Sequence, residues 1–256
     1  MFPPSGTVSV RLCSMRVRVF PLMLLAMTAC TPSTNETGAA FTRNGQVIAM
    51  SGGQGGAANA CFSCHGLDGR GDGVSVPRLA GLDAGYLQKQ MEDYANDVRQ
   101  DDVMTEVARW LDDGDRRAVS AWYASLPAPV TTGAPGPAPA IYLRGDPSRG
   151  VAACASCHGV DGLGVGSGNP AIAAQPAAYA IEQIRRWKTA ERRNDPRGVM
   201  VEAVAGLTDA ETGRIAAWLE TLPAAPPPDS GAASASAAAS APARPAASRG
   251  ARRLDR

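Results

Sequence analysis

Two five-residue runs hold the residues of this chain that can do chemistry. They are Cys61-Phe62-Ser63-Cys64-His65 and Cys154-Ala155-Ser156-Cys157-His158. The chain has 256 residues, six cysteines and two histidines, and both histidines are spent in these runs. C-x-x-C-H is the attachment signature of c-type haem. The two thiols become thioethers to the porphyrin vinyl groups, and the following imidazole reaches the iron. The spacing therefore implies two covalently bound haem c groups, with His65 and His158 each supplying one axial ligand. Two alternatives fit the cysteines less well. Two Cys-x-x-Cys pairs could share a zinc ion, but zinc gives no reason for a histidine directly after each pair. A thioredoxin-like redox pair wants a β-rich run before the motif, and the flank Gly150-Val151-Ala152-Ala153 is made of small residues.

The elements around the runs repeat. With Pro77 set against Pro170, Tyr86 falls on Tyr179, Gln90 on Gln183 and Tyr94 on Trp187. After a small length difference, Met104 meets Met200, Asp113 meets Asp209, Trp122 meets Trp218, and Leu126-Pro127 meets Leu222-Pro223. Self-similarity on this scale implies a tandem duplication. Each copy is close to the smallest size that folds alone, and a large buried cofactor would help it build a core.

The pattern within each copy is helical. Asp83 is placed to cap a helix from Ala84 to about Tyr94. Thr208 with Glu211 forms a capping box ahead of a helix ending near Leu222. Asp112 or Asp113 starts the matching helix of the first copy, which carries Trp122 and Leu126. Asp146-Pro147 reads as an N-cap and first helical residue, and that helix is expected to run into Cys154 and Cys157. The glycine-rich stretch 51–56 weakens the first helix of the first copy. No segment reads as a strand, so the fold class is all-α.

The second axial ligand decides between electron transfer and chemistry at an open iron. No histidine is left over. Methionine is the natural candidate, because its soft thioether favours the ferrous state. Met200 is the sole methionine after residue 104, and Met104 is its repeat partner. Met50 and Met91 are rivals in the first copy, although Met50 precedes the haem motif and Met91 lies in an apolar helical stripe. A histidine ligand also needs a partner for its other ring nitrogen. The carbonyls of Pro77 and Pro170 are placed for this, and an ordinary loop proline is an equal reading of the spacing.

Taken together, Cys61-x-x-Cys-His-Gly-x-Asp-Gly, Pro77-x-Leu-Ala-Gly, Tyr86, Gln90, Met104 and the Asp-Gly-Asp…Trp-Tyr-Ala-Ser-Leu stretch resemble cytochrome c4. So does their repeat. The resemblance covers about residues 41–127 and 141–223. It implies two tandem class I cytochrome c domains, His/Met ligation at both irons, a periplasmic site and electron delivery, often to a terminal oxidase. It also implies that the Pro77 and Pro170 carbonyls accept hydrogen bonds from the haem histidines. Pro170-Ala-Ile-Ala-Ala departs from the Pro77-Arg-Leu-Ala-Gly pattern of the first copy.

Outside that resemblance the chain divides further. Residues 1–30 read as an export signal, with Arg11, Arg16 and Arg18 before a short apolar stretch. Its end, Met27-Thr28-Ala29-Cys30, resembles a lipoprotein signal that would place a lipid on Cys30 and so associate the chain with a membrane. Ordinary cleavage nearby is the alternative. Residues 31–40 form a short linker and 128–140 a proline-rich one. Residues 224–256 are an Ala/Pro/Ser tail with too little apolar side chain to fold. The whole chain carries 25 basic and 24 acidic groups. Residues 41–127 hold 8 and 12 of them, and residues 141–223 hold 9 and 9. A net acidic folded part argues against nucleic acid. The sequence thus points to a dihaem electron carrier with redox protein partners such as a membrane oxidase or reductase complex. A cytochrome subunit of a dehydrogenase complex and a dihaem oxidoreductase with an open axial site are the alternatives.

Overall fold

The structure is a computed structural model that describes residues 44–129, 135–165 and 168–224. The export signal, Cys30, the linker at 31–40 and nearly all of the C-terminal tail lie outside the described residues. The first copy contains α1 (Gly45–Ser51), α2 (Phe62–His65), α3 (Ala84–Ala95), α4 (Met104–Trp110) and α5 (Asp113–Ser125). The second contains α6 (Ala140–Arg144), α7 (Ala155–His158), α8 (Ala177–Lys188), α9 (Val199–Val204) and α10 (Asp209–Thr221). Among the described residues there is no sheet. Two isolated antiparallel bridges occur, Asp146–Val151 and Arg99–Arg192.

Local chemistry sets several of these boundaries. The Asp83 carboxylate accepts the Tyr86 N–H at 2.8 Å and starts α3. Asp112, rather than Asp113, caps α5 by accepting the Asp115 N–H at 2.8 Å. Thr208 and Glu211 close a full capping box at the start of α10. One expected helix does not form. Asp146 does cap a turn, but that turn is a 3-10 segment of three residues, Pro147–Arg149. Gly150 then turns left-handed at φ 70°, and Asp146 and Val151 exchange backbone hydrogen bonds of 2.8 and 2.9 Å. The chain is thereby folded back before Cys154, and α7 starts afresh. The helix upstream of this turn is α6, whose first residue, Ala140, ends the expected linker.

In the first copy α5 packs on α1 and α3, and α4 packs on α3. Ile48, Leu82, Leu87, Leu111, Val119 and Tyr123 form the core. In the second copy α8 packs on α9 and α10 around Tyr142, Trp187, Ile215, Trp218 and Leu219. Tyr142 and Trp218 meet with ring centroids 4.8 Å apart.

The Glu211 cap links stability to pH. Arg149, which bonds both Glu211 oxygens, and the Thr208 cap hold the Glu211 carboxyl down at about 2. A carboxyl depressed by folding contributes stability above its ordinary value of 4.5, and that contribution is lost as pH falls toward 2. Thr208→Ala is expected to cost about 1 kcal/mol in a urea melt at neutral pH. An unchanged midpoint would show that the box adds nothing.

Candidate functional site

Each Cys-x-x-Cys-His run occupies one short helical turn. His65 N–H bonds the Cys61 carbonyl at 2.9 Å, and His158 N–H bonds the Cys154 carbonyl at 2.9 Å. Three-residue spacing on a helix places the two thiols of a run on one face. No disulfide joins Cys61, Cys64, Cys154 or Cys157. Burial pushes the Cys61 thiol up to about 11 and raises Cys154 in the same direction. A raised, buried thiol does not suit the attacking role of a redox pair, which Cys61 and Cys154 therefore do not fill. Among the described residues no cluster of three or more His, Cys, Asp or Glu side chains is arranged to hold a metal ion.

Both histidines are buried, and each meets one carbonyl. His65 Nδ1 lies 3.0 Å from the Pro77 carbonyl oxygen, and His158 Nδ1 lies 2.9 Å from that of Pro170. A carbonyl only accepts, so the proton sits on Nδ1 and the Nε2 lone pair is left for a ligand. Burial, the larger effect, lowers the pKa of both rings against the opposing pull of the carbonyl. The imidazoles are therefore held neutral.

The loops that carry these carbonyls share a set of backbone hydrogen bonds. Gly71 N–H bonds the His65 carbonyl at 2.9 Å, and Gly164 N–H bonds that of His158 at 2.8 Å. Leu79 and Ala80 both donate to Gly69, as Ile172 and Ala173 do to Gly162. Around the histidines the two copies differ. Tyr123 stands edge-on to His65 at 6.4 Å, and its buried hydroxyl has no hydrogen-bond partner among the described residues. Leu219 occupies the equivalent position in the second copy, where Tyr142 instead donates to the Gly159 carbonyl at 2.7 Å.

Met104 opens α4 and is half-buried; its N–H donates to Asp101 Oδ1 at 3.1 Å. Met200 is half-buried against the second core, where Cys154 also packs, and its N–H donates to Asp195 Oδ2 at 2.5 Å. Of the rivals, Met91 packs against the first core and Met50 is 49 % exposed on α1.

The sequence pattern gives no role to three buried arginines. Arg78, Arg99 and Arg192 are buried, and none forms an ion pair with a carboxylate among the described residues. Arg78 bonds the Ala80 and Ala173 carbonyls. Burial pulls its pKa down to about 10. Arg99 and Arg192 both donate to the side-chain oxygens of Gln90 and Gln183. They also lie 4.7 Å over the Tyr94 ring and 4.5 Å over the Trp187 ring. Buried guanidinium groups without anions are costly. They fit a prosthetic group that brings its own carboxylates, as haem does. Paired cysteines on one helical turn, followed by a neutral histidine with an open Nε2, are consistent with haem in each copy. Arg99 and Arg192 stand at equivalent repeat positions, the one sequence signal that could have revealed them.

Comparison with known proteins agrees with this geometry. The family profile described as cytochrome c matches residues 51–127 and 149–223. The chain is 39 % identical over 176 residues to a thiosulfate dehydrogenase electron acceptor of Thiomonas intermedia, covering 66 % of this chain and 81 % of that protein. It is 35 % identical over 172 residues to cytochrome c4 of Thiocapsa roseopersicina, covering 63 % and 86 %. Among solved structures, the thiosulfate dehydrogenase of Marichromatium purpuratum superposes with a TM-score of 0.60 at 37 % identity. That match covers 72 % of this chain but 40 % of the other.

Proposed function

From the premise that this chain belongs to the cytochrome c family, as a dihaem class I member of the cytochrome c4 type, we propose that it accepts electrons from a thiosulfate dehydrogenase and passes them to a respiratory oxidase. It binds two haem c groups covalently and transfers electrons. When bound, each haem iron supplies a one-electron Fe(II)/Fe(III) couple. In our reading Cys61 and Cys64 hold one haem and Cys154 and Cys157 the other. His65 and Met104 ligate the first iron, and His158 and Met200 the second. The Pro77 and Pro170 carbonyls hold the imidazoles in the tautomer that leaves Nε2 to the iron. With a buried histidine and a half-buried methionine as its two ligands, each iron would keep no open position for a substrate, which favours a carrier over an enzyme.

The observation that carries the dehydrogenase assignment is the 39 % identity to an electron acceptor of that enzyme, over 81 % of its length. The similarity to cytochrome c4 over 86 % of its length favours the onward step to an oxidase. A periplasmic site, with Cys30 as lipid anchor, belongs to the same proposal. The test mixes oxidised holoprotein with a thiosulfate dehydrogenase and thiosulfate. Both haems are expected to become reduced, at a rate that saturates with carrier concentration. Reduction no faster than with thiosulfate alone would remove this donor. The first copy is the acidic one, so raising ionic strength is expected to slow reduction by a basic partner.

A further inference from the structure

We infer that each copy's methionine segment is held in place by a helix of the other copy, with Arg186 as a positioning residue for Met104, and Lys89 and Asp93 as positioning residues for Met200. The inference rests on the reading of Met104 and Met200 as axial ligands.

Asp101 divides its two oxygens between copies. Oδ1 accepts the Val103 and Met104 N–H groups at 3.2 and 3.1 Å, which fixes the start of α4. Oδ2 meets Arg186 Nη1, from α8, at 3.4 Å. The same nitrogen donates to the Gln100 carbonyl at 3.2 Å. The segment that orients Met104 is thus gripped from the second copy.

The reverse grip uses equivalent places with different chemistry. Asn194 stands where the repeat has Asp101 in the first copy, and Asp93 stands where it has Arg186 in the second. Asn194 Nδ2 donates to Asp93 Oδ2 at 2.6 Å and to Gln90 Oε1 at 2.9 Å, both on α3. Lys89 Nζ, also on α3, donates to the Asn194 carbonyl at 2.7 Å and pairs with Asp93. The next residue, Asp195, accepts the Met200 N–H. Arg99 and Arg192 bridge between the two grips. A thioether bond to iron is weak enough that a loosened segment releases it part of the time. The consequence is a crossed pattern: damage to a helix of one copy opens the iron of the other.

The test separates the two haems by ligand removal. In a Met200→Ala holoprotein, the remaining methionine-to-iron charge-transfer band and the slow phase of carbon monoxide binding report the first haem alone. Adding Arg186→Met is expected to speed that slow phase about tenfold, for a lost charged hydrogen bond. It should also lower the first haem's potential, and Arg186→Lys should restore most of both. Lys89→Met in the same background should leave both within about twofold. In a Met104→Ala background the two substitutions exchange roles. If Met200→Ala leaves the full charge-transfer band, the ligand assignment is wrong and the inference falls with it. If the band behaves as assigned but Arg186→Met and Arg186→Gln leave the first haem unmoved, or perturb only the second, the crossed grip is refuted.

Discussion

Replacing Met200 by Ala is expected to remove half of the methionine-to-iron charge-transfer absorbance and to lower one of the two reduction potentials by on the order of 0.1 V. No other methionine follows residue 104, so nothing of the same softness can take its place in the second copy. The backbone there is fixed at Met200. Asp195 holds the Met200 N–H, and the half-buried side chain packs on the same core as Cys154. A thioether stabilises the ferrous state. Its loss leaves a weaker or a harder ligand, and the ferric state gains. Met104→Ala should do the same at the other haem, and the double variant should lose the band altogether. Met91→Ala, by contrast, should loosen the first core and leave the band intact, because that side chain packs against core residues. A Met200→Ala protein with an undiminished band would overturn the ligand assignment.

Gly164→Ala is expected to destabilise the holoprotein by about 3 kcal/mol. Gly164 has φ +85°, where a side chain costs about 1–2 kcal/mol. An added Cβ would also lie 2.5 Å from the Asn169 carbonyl oxygen and 2.9 Å from the Pro170 carbonyl carbon. Those contacts are backbone, so the loop must shift, and the Pro170 oxygen moves away from His158 Nδ1. An imidazole that loses this acceptor becomes a poorer donor to iron, so the potential of the second haem should rise. Gly71→Ala repeats the experiment in the first copy, where the Cβ would stand 2.2 Å from the Val76 oxygen. Gly168→Ala is the control, since its Cβ would meet nothing within 4 Å. Equal denaturant midpoints for Gly164→Ala and Gly168→Ala would show that the loop carries no such constraint.

The features legible in the sequence are those whose physical cause is local. A capping carboxylate needs only the N–H groups within the next turn, and Asp83 and Thr208 with Glu211 lie where their helices begin. The helix expected after Asp146-Pro147 failed for a reason the local pattern understates. Gly150 turns left-handed, and Val151 pairs back to Asp146, so a short hydrogen-bonded turn wins over a good N-cap. The buried arginines were illegible for a different reason. Beyond the equivalent repeat positions of Arg99 and Arg192, a guanidinium in a sequence carries no sign of what will enclose it. Their partners Gln183 and Gln90 lie 84 and 102 residues away.

The sequence by itself therefore determined that this protein carries two covalent haems in a duplicated helical frame. Thioether attachment and one axial histidine need five consecutive residues, and a duplication leaves its record at every aligned position. Tertiary structure alone decided how the two copies are joined. It buried Arg78, Arg99 and Arg192 with no carboxylate partner among the described residues. It also brought Arg186 to Asp101 and Lys89 to Asn194. Such contacts depend on the relative placement of packed helices, which no local spacing encodes.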